Sequence, residues 1–315
     1  MNKSRSVTAG HDKPAGPQPA SKGTCYALIL VTAVFWGLSF IFMNRMLEYM
    51  EPLQVIAGRW TLAAIIFLIL MLAGKVRIDL HKKKVKYIFL CGLLEPGLYS
   101  VFETYGLKYT SASISSIFIA TIPVMSLIVG VLFFRRKTNG TGILSIVLAF
   151  TGVVTCTVFS PAFSLDGDLR GYFFMVAAVV MGAVYGFFSA EAGEEYGAME
   201  VTATMAFMGC VLFNIECLIA GYGLSTYRII FTHPDVLGCT AFLGIFCSII
   251  CYAAFNRVMA SMDVALANNM SGSLITVVGV AAGIFIAGDP GGLYTIIGLA
   301  VTLAGVWLSS RAERE

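Results

Sequence analysis

Glu95, Tyr99 and Glu103 sit at four-residue intervals inside one apolar stretch. That spacing puts all three on a single helix face. An ionisable group within a membrane span costs roughly 2.5–3.5 kcal/mol on insertion scales, so each asks for a reason. Pro96, beside Glu95, removes a backbone donor and predicts a kink. Two readings stand: a polar stripe facing a cavity, contacting an amine or carrying a proton, or a set of buried structural carboxylates. Arg59 lies at a depth in the second apolar stretch similar to that of Glu103 in the third. The pair is expected to form an ion pair that lowers the cost of both charges.

Further polar residues share faces in the second half of the chain. Tyr185 and Ser189 are four apart, as are Tyr252 and Asn256. Asn268 and Ser271 are three apart, with Asn269 adjacent. Each pair either contacts a substrate or bonds helix to helix, the latter worth about 0.6 kcal/mol per bond. Trp36, Phe40 and Met43 form an aromatic stripe at helical spacing, which packing alone would explain. Glu216 falls near the end of its stretch and is expected at the membrane interface. The glycine pairs Gly182/Gly186 and Gly279/Gly283 have the four-residue spacing of close helix packing.

These side chains need elements to hold them, and the composition says which. The chain is 58% hydrophobic and 12% charged, with a mean hydropathy of +0.83. A soluble protein carries about 25% charged residues, so this one has lipid as its solvent. Helices are the elements that fit continuous apolar runs of bilayer length. Ten are expected, at about 25–46, 53–74, 86–107, 112–134, 141–160, 171–191, 200–221, 236–257, 264–287 and 292–310. Residues 1–24 read as a disordered tail, 161–170 as a polar linker, and 311–315 as a second tail. The eight cysteines lie almost wholly in apolar segments and the three histidines in polar ones, so no metal site and no cofactor is expected. No basic blocks interleaved with aromatics suggest nucleic-acid binding.

Basic residues set the orientation. With the N-terminus in the cytoplasm, sixteen Lys and Arg fall on the inner side, including Lys82–Lys84–Lys86 and Arg135-Arg136-Lys137. Four fall outside: Arg45, Lys108, Arg170 and Arg228. That bias follows the positive-inside rule and places both termini in the cytoplasm.

The chain also repeats itself. Ser145–Val153 (SIVLAFTGV) returns as Gly298–Val306 (GLAVTLAGV). Two copies, 25–160 and 171–310, with five helices each must insert upside down relative to one another.

The residues Phe35-Trp36-Gly37 with Ser39-Phe40, Gly58-Arg59-Trp60, Gly106 to Ser113 (GLKYTSAS), Pro123-Val124, Gly288-Asp289 and Gly298 to Gly305 recur in a known order. In that order and duplication the chain resembles the EamA branch of the drug/metabolite transporter superfamily. The resemblance covers nearly the whole chain after the tail. It implies a ten-helix membrane transporter, a cavity lined by the first four helices of each half, and the fifth helix of each half at the periphery. In that layout Trp36 and Phe40 floor the cavity. Two places depart from the family's pattern: Arg136-Lys137 stands where Gly-Glu is frequent, and Ser271-Gly272-Ser273 where a proline is common.

The expectation is therefore a secondary transporter and exporter in a cytoplasmic membrane, acting by alternating access on amino acids or related amines. Its site residues would be Trp36, Phe40, Glu95, Tyr99, Glu103, Tyr185, Tyr252, Asn256, Asn268 and Ser271. Its partners would be a small-molecule substrate and the lipid bilayer, with proton coupling and a homodimer left open. Competing classes are a membrane receptor or scaffold, a transporter of drugs, sugars or nucleotide-linked metabolites, and a membrane enzyme. Against the enzyme, no paired nucleophile and base and no HExxH occur.

Overall fold

The computed structural model describes residues 19–134, 139–160, 169–262 and 264–312. Most of the expected tail 1–24, most of the linker 161–170, the basic knot Arg135-Arg136-Lys137 and residues 313–315 lie outside them. Every regular element among the described residues is helical.

The long helices are α1 (Lys22–Leu47), α2 (Pro52–Leu72), α3 (Val85–Lys108), α4 (Ala112–Phe133), α5 (Gly140–Val158), α6 (Arg170–Gly193), α7 (Ala198–Ile219), α8 (Pro234–Met259), α9 (Leu266–Ala287) and α10 (Leu293–Ala312). A short helix, Ser225–Thr232, precedes α8. Eight of the long helices have the length and apolar character to cross a bilayer, against the ten expected. In α5 and α10 the apolar stretches are shorter, Gly140–Cys156 and Leu293–Leu308. Large apolar side chains point outward along the bundle, including Leu72, Phe133, Ile219 and Phe285. Such a surface suits a hydrocarbon solvent rather than water.

Several expected boundaries move. α1 starts at Lys22, inside the expected tail, because Ser21 caps it by accepting the Thr24 N–H at 3.2 Å. α6 takes in Arg170 from the expected linker. α10 runs on through Arg311, whose guanidinium lies 4.1 Å over the Trp307 ring one turn earlier.

Four of the long helices are not α-helical throughout. α3 is π-helical over Leu93–Tyr99, α8 over Phe242–Cys251 and α9 over Gly283–Ala287, and α4 is interrupted by a turn at residues 120–121. Pro96 supplies no N–H within the first, and the Ser100 hydroxyl donates to the Glu95 carbonyl at 3.2 Å. The kink predicted at Pro96 is thus a π-helical segment. In α8 the Cys247 carbonyl accepts the Trp36 indole N–H at 3.2 Å, and the Cys247 thiol donates to the Phe35 carbonyl at 3.5 Å. These bonds fix α1 against α8.

The halves interlock rather than sit apart. α1 packs on α8 and α9, α6 on α3 and α4, and α2 on α7. The α5–α10 contact is reciprocal. A Cβ on Gly152 would meet Thr302 and the Gly298 carbonyl, and one on Gly305 would meet Ala149 and the Ser145 carbonyl. In the repeated nine-residue segment, Gly152 matches Gly305, Ala149 matches Thr302 and Ser145 matches Gly298. The same patch therefore meets itself, which is the mark of a two-fold relation.

At the ends of the helices, charged residues tie the halves together. Lys82 Nζ reaches Glu200 Oε1 and Oε2 at 3.1 Å and the Glu195 carbonyl at 3.1 Å. Lys84 Nζ reaches Glu191 at 2.7 Å and also Glu194. Burial opposes the charge on Lys84, but the bonds to Glu191 and Glu194 outweigh it and push its ammonium up to about 12. At the opposite end Arg45 meets Asp235 at 2.8 Å.

Two outcomes test this packing. Gly152→Val places methyl groups into the α10 backbone and should destabilise the protein by about 3 kcal/mol or more, read as a lower melting temperature in detergent. The raised ammonium means that the Lys84 tie is complete below the ordinary lysine value of 10.5 and is lost only as pH rises through about 12. Spin labels at Ile78 and Ala198 should then report a constant separation across neutral pH. Lys84→Met should widen that separation at neutral pH.

Candidate functional site

A cavity lies between the halves. Its wall draws on α1, α2, α3 and α4 from the first half and α6, α8 and α9 from the second. The π-helical stretch of α3 presents Glu95 and Tyr99, and Glu103 comes one turn later. Tyr252 lies immediately after the π-helical stretch of α8. Glycines thin the wall where other side chains enter. A Cβ on Gly182 would crowd Tyr99, and one on Gly186 would crowd Asn268. The spacing read as a helix-packing motif thus admits a tyrosine and an amide to the cavity region.

Two carboxylates hold tyrosines. The Tyr252 hydroxyl donates to Glu95 Oε1, across the two halves. The Tyr99 hydroxyl donates to Glu103 Oε1 at 2.9 Å. Arg59 is buried and lines the same cavity. Its Nε–H donates to Ser248 Oγ at 2.9 Å, its Nη1 to the Met43 sulfur at 3.7 Å, and its guanidinium lies 5.5 Å from the Trp60 ring. An aromatic group closes around Tyr252, with ring centroids 5.0 Å to Trp36, 5.4 Å to Trp60 and 6.4 Å to Tyr185. Phe255 stands 5.2 Å from Trp36.

The structure brings Trp36, Phe40, Glu95, Tyr99, Glu103, Tyr185, Tyr252, Asn268 and Ser271 to this cavity, with Arg59. Asn256 is elsewhere. Its Oδ1 accepts from Tyr185 at 2.6 Å and Ser189 at 2.7 Å, and its Nδ2 donates to Thr202 at 3.0 Å. It joins α6, α7 and α8 and holds Tyr185 in place. Asn269 turns the other way and donates to the Val306 carbonyl of α10. Glu216 is exposed.

The direct Arg59–Glu103 ion pair does not form. No Arg59 nitrogen comes within 4.0 Å of a Glu103 oxygen, because Ser248 takes the Arg59 Nε–H and Tyr99 binds Glu103.

Sequence reasoning missed Ser39, Ile119, Ile122, Phe255, Gly272 and Ile275 as lining residues. Phe255 comes three residues after Tyr252, so the helical face could have found it. The isoleucines carry no such signal.

A cavity between two interlocked halves fits what this chain is similar to. The family model described as the EamA-like transporter family matches residues 23–158 and 169–311. The chain belongs to the EamA-like transporter family. The two matched segments correspond to α1–α5 and α6–α10, so each is one family unit. Among relatives, the uncharacterized transporter YcxC of Bacillus subtilis (strain 168) is 25% identical over 89% of this chain and 91% of its own. An uncharacterized transporter of Archaeoglobus fulgidus is 22% identical over 91% and 98%. The uncharacterized inner membrane transporter YhbE of Escherichia coli (strain K12) is 26% identical over 76% and 74%. A crystal structure matches with a TM-score of 0.66 at 16% identity, covering 93% of this chain and 99% of that one, which speaks to the fold alone.

The separate anchoring of Arg59 and Glu103 has a measurable consequence. The exchange Arg59→Glu/Glu103→Arg should be no more stable than the worse single variant, since neither new side chain inherits the bond to Ser248 or Tyr99. Ser248→Ala should cost about 1.5–3 kcal/mol, the range for a hydrogen bond to a charged group. Thermal unfolding in detergent reads both.

Proposed function

We propose that this EamA-like protein is a secondary transporter of small organic metabolites, with the α1–α4, α6, α8 and α9 cavity as its substrate site. The observation that carries this reading is a cavity walled by both halves and holding two carboxylates, a guanidinium and an aromatic group. A site on the seam between repeats can be opened to either side by rocking one repeat against the other.

Ten spanning helices in two inverted five-helix repeats complete the proposal, with α5 and α10 crossing at the periphery. The reciprocal α5–α10 contact supports the inversion, because it runs antiparallel between matched residues. The ties at Lys82, Lys84 and Arg45 lie at the two ends and supply contacts that alternating access must break and remake. The membrane is the cell membrane, in keeping with the inner-membrane name of the Escherichia coli relative. Both termini face the cytoplasm, in keeping with the sixteen-to-four split of basic residues. The substrate class is amino acids or related amines, and the direction is export. An anion site would need more intramembrane basic residues than Arg59 provides.

Counterflow into proteoliposomes with labelled amino acids, amines and sugars tests the reading. Saturable uptake of one class is expected for the wild type. Gly272→Phe should abolish it, since Gly272 lines the cavity and its Cβ would meet only ordinary contacts, nearest Pro123 at 3.6 Å. Uptake that persists in a folded Gly272→Phe protein would move the substrate path elsewhere. Absence of uptake for every compound would favour a receptor or scaffold.

A further inference from the structure

The wall of the cavity leaves three polar atoms with nothing to bond. Glu95 Oε2, Asn268 Nδ2 and Ser271 Oγ have no hydrogen-bond partner among the described residues. These residues are 5%, 4% and 2% exposed, and all line the cavity. A buried polar group without a partner is costly, so three on one wall are a demand for a ligand. They divide by chemistry. Glu95 offers an acceptor from α3. The amide of Asn268 offers N–H donors from α9, and the Ser271 hydroxyl, three residues on, faces the same way.

The charged groups of the wall differ in their bonds. Glu103 is held by Tyr99, and Arg59 by Ser248. Glu95 has Oε1 taken by Tyr252 and Oε2 open. Its partner Tyr252 and the neighbouring Trp36 also line the cavity, and aromatic rings attract cations.

We propose that the cavity takes a ligand with an ammonium group and a separate hydrogen-bond acceptor, the ammonium on Glu95 and the acceptor on Asn268 and Ser271. This rests on the transport reading above and names the ligand chemistry of that same site. The donors on α9 are neutral, so the acceptor need not be charged. A net cation therefore fits better than a zwitterion of equal shape, and an anion fits worst.

The test uses the full chain purified in detergent and two probe series, on the leucine and phenylalanine skeletons. Each series contains the amino-acid amide, the amino acid, the decarboxylated amine and the deaminated acid. Affinity is read from ligand-dependent melting at mildly acidic pH, where the amines carry their charge. The amide should bind most tightly, the plain amine about tenfold more weakly for its lost hydrogen bond, and the deaminated acid not at all. Glu95→Gln should weaken the amide about a hundredfold. Asn268→Ala should weaken the amide about tenfold and leave the plain amine unchanged, whereas a merely structural asparagine would affect both alike. That comparison decides the matter if Glu95→Gln fails to fold. The proposal is overturned if the deaminated acid binds as well as the amine, if Asn268→Ala weakens amide and amine equally, or if no probe binds. Parallel counterflow separates the two readings. Binding in the expected order without flux removes transport and keeps the ligand assignment, and flux with the reverse order does the opposite.

Discussion

A chain dissolved in lipid cannot leave a polar group facing its solvent, and the whole architecture stems from that constraint. Backbone groups are met inside helices. Buried side chains are met by neighbouring turns, as where Thr32 donates to the Ile29 carbonyl or Ser116 to that of Ala112. Longer-range pairs join helices, as Thr276 does to the Ser116 carbonyl at 2.9 Å. Against this background of mostly satisfied groups, a cavity holding Glu95, Glu103 and Arg59 is a costly feature of the fold. The packing around it exists to keep those charges from lipid and from contact with one another.

Small residues and π-helical segments make that enclosure possible. Glycines at Gly37, Gly279 and Gly283 let α1, α4 and α9 approach until side chains touch backbone. The same device joins α5 to α10 away from the cavity. The π-helical stretches of α3 and α8 rotate the helical turns beyond them, so that Tyr252 meets Glu95 across the seam. That bond links the halves at the middle, while Lys84 and Arg45 link them at the ends.

Much of this was legible in the sequence because lipid simplifies the code. Apolar runs gave the long helices, and the duplicated Gly-containing segment gave the two halves. The four-residue spacing of Glu95, Tyr99 and Glu103 gave one cavity face, since polar residues in an apolar helix have few other places to go. Three things were less legible, each for a physical reason. Asn256 has the spacing of a cavity residue, but three neighbours from other helices satisfy it, and tertiary partners cannot be read from one helix. Arg59 and Glu103 share a depth, yet depth fixes one coordinate and leaves rotation about each helix free. The π-helical segments change that rotation part-way along α3 and α8, and only Pro96 hinted at one of them.

Within the cavity, Arg59 and Glu103 are anchored separately. Had Arg59 closed onto Glu103 in direct contact, the pair would be a fixed strut, neutral and spent. Ser248 instead holds the guanidinium by Nε, and Tyr99 holds Glu103 by Oε1, so each charge keeps bonding capacity. Glu95 differs from both: the Tyr252 hydroxyl takes Oε1, and Oε2 is left without a partner. The ligand proposed for the cavity thus rests on an inequality between two carboxylates on one helix face: Glu103 held by Tyr99, and Glu95 open at Oε2.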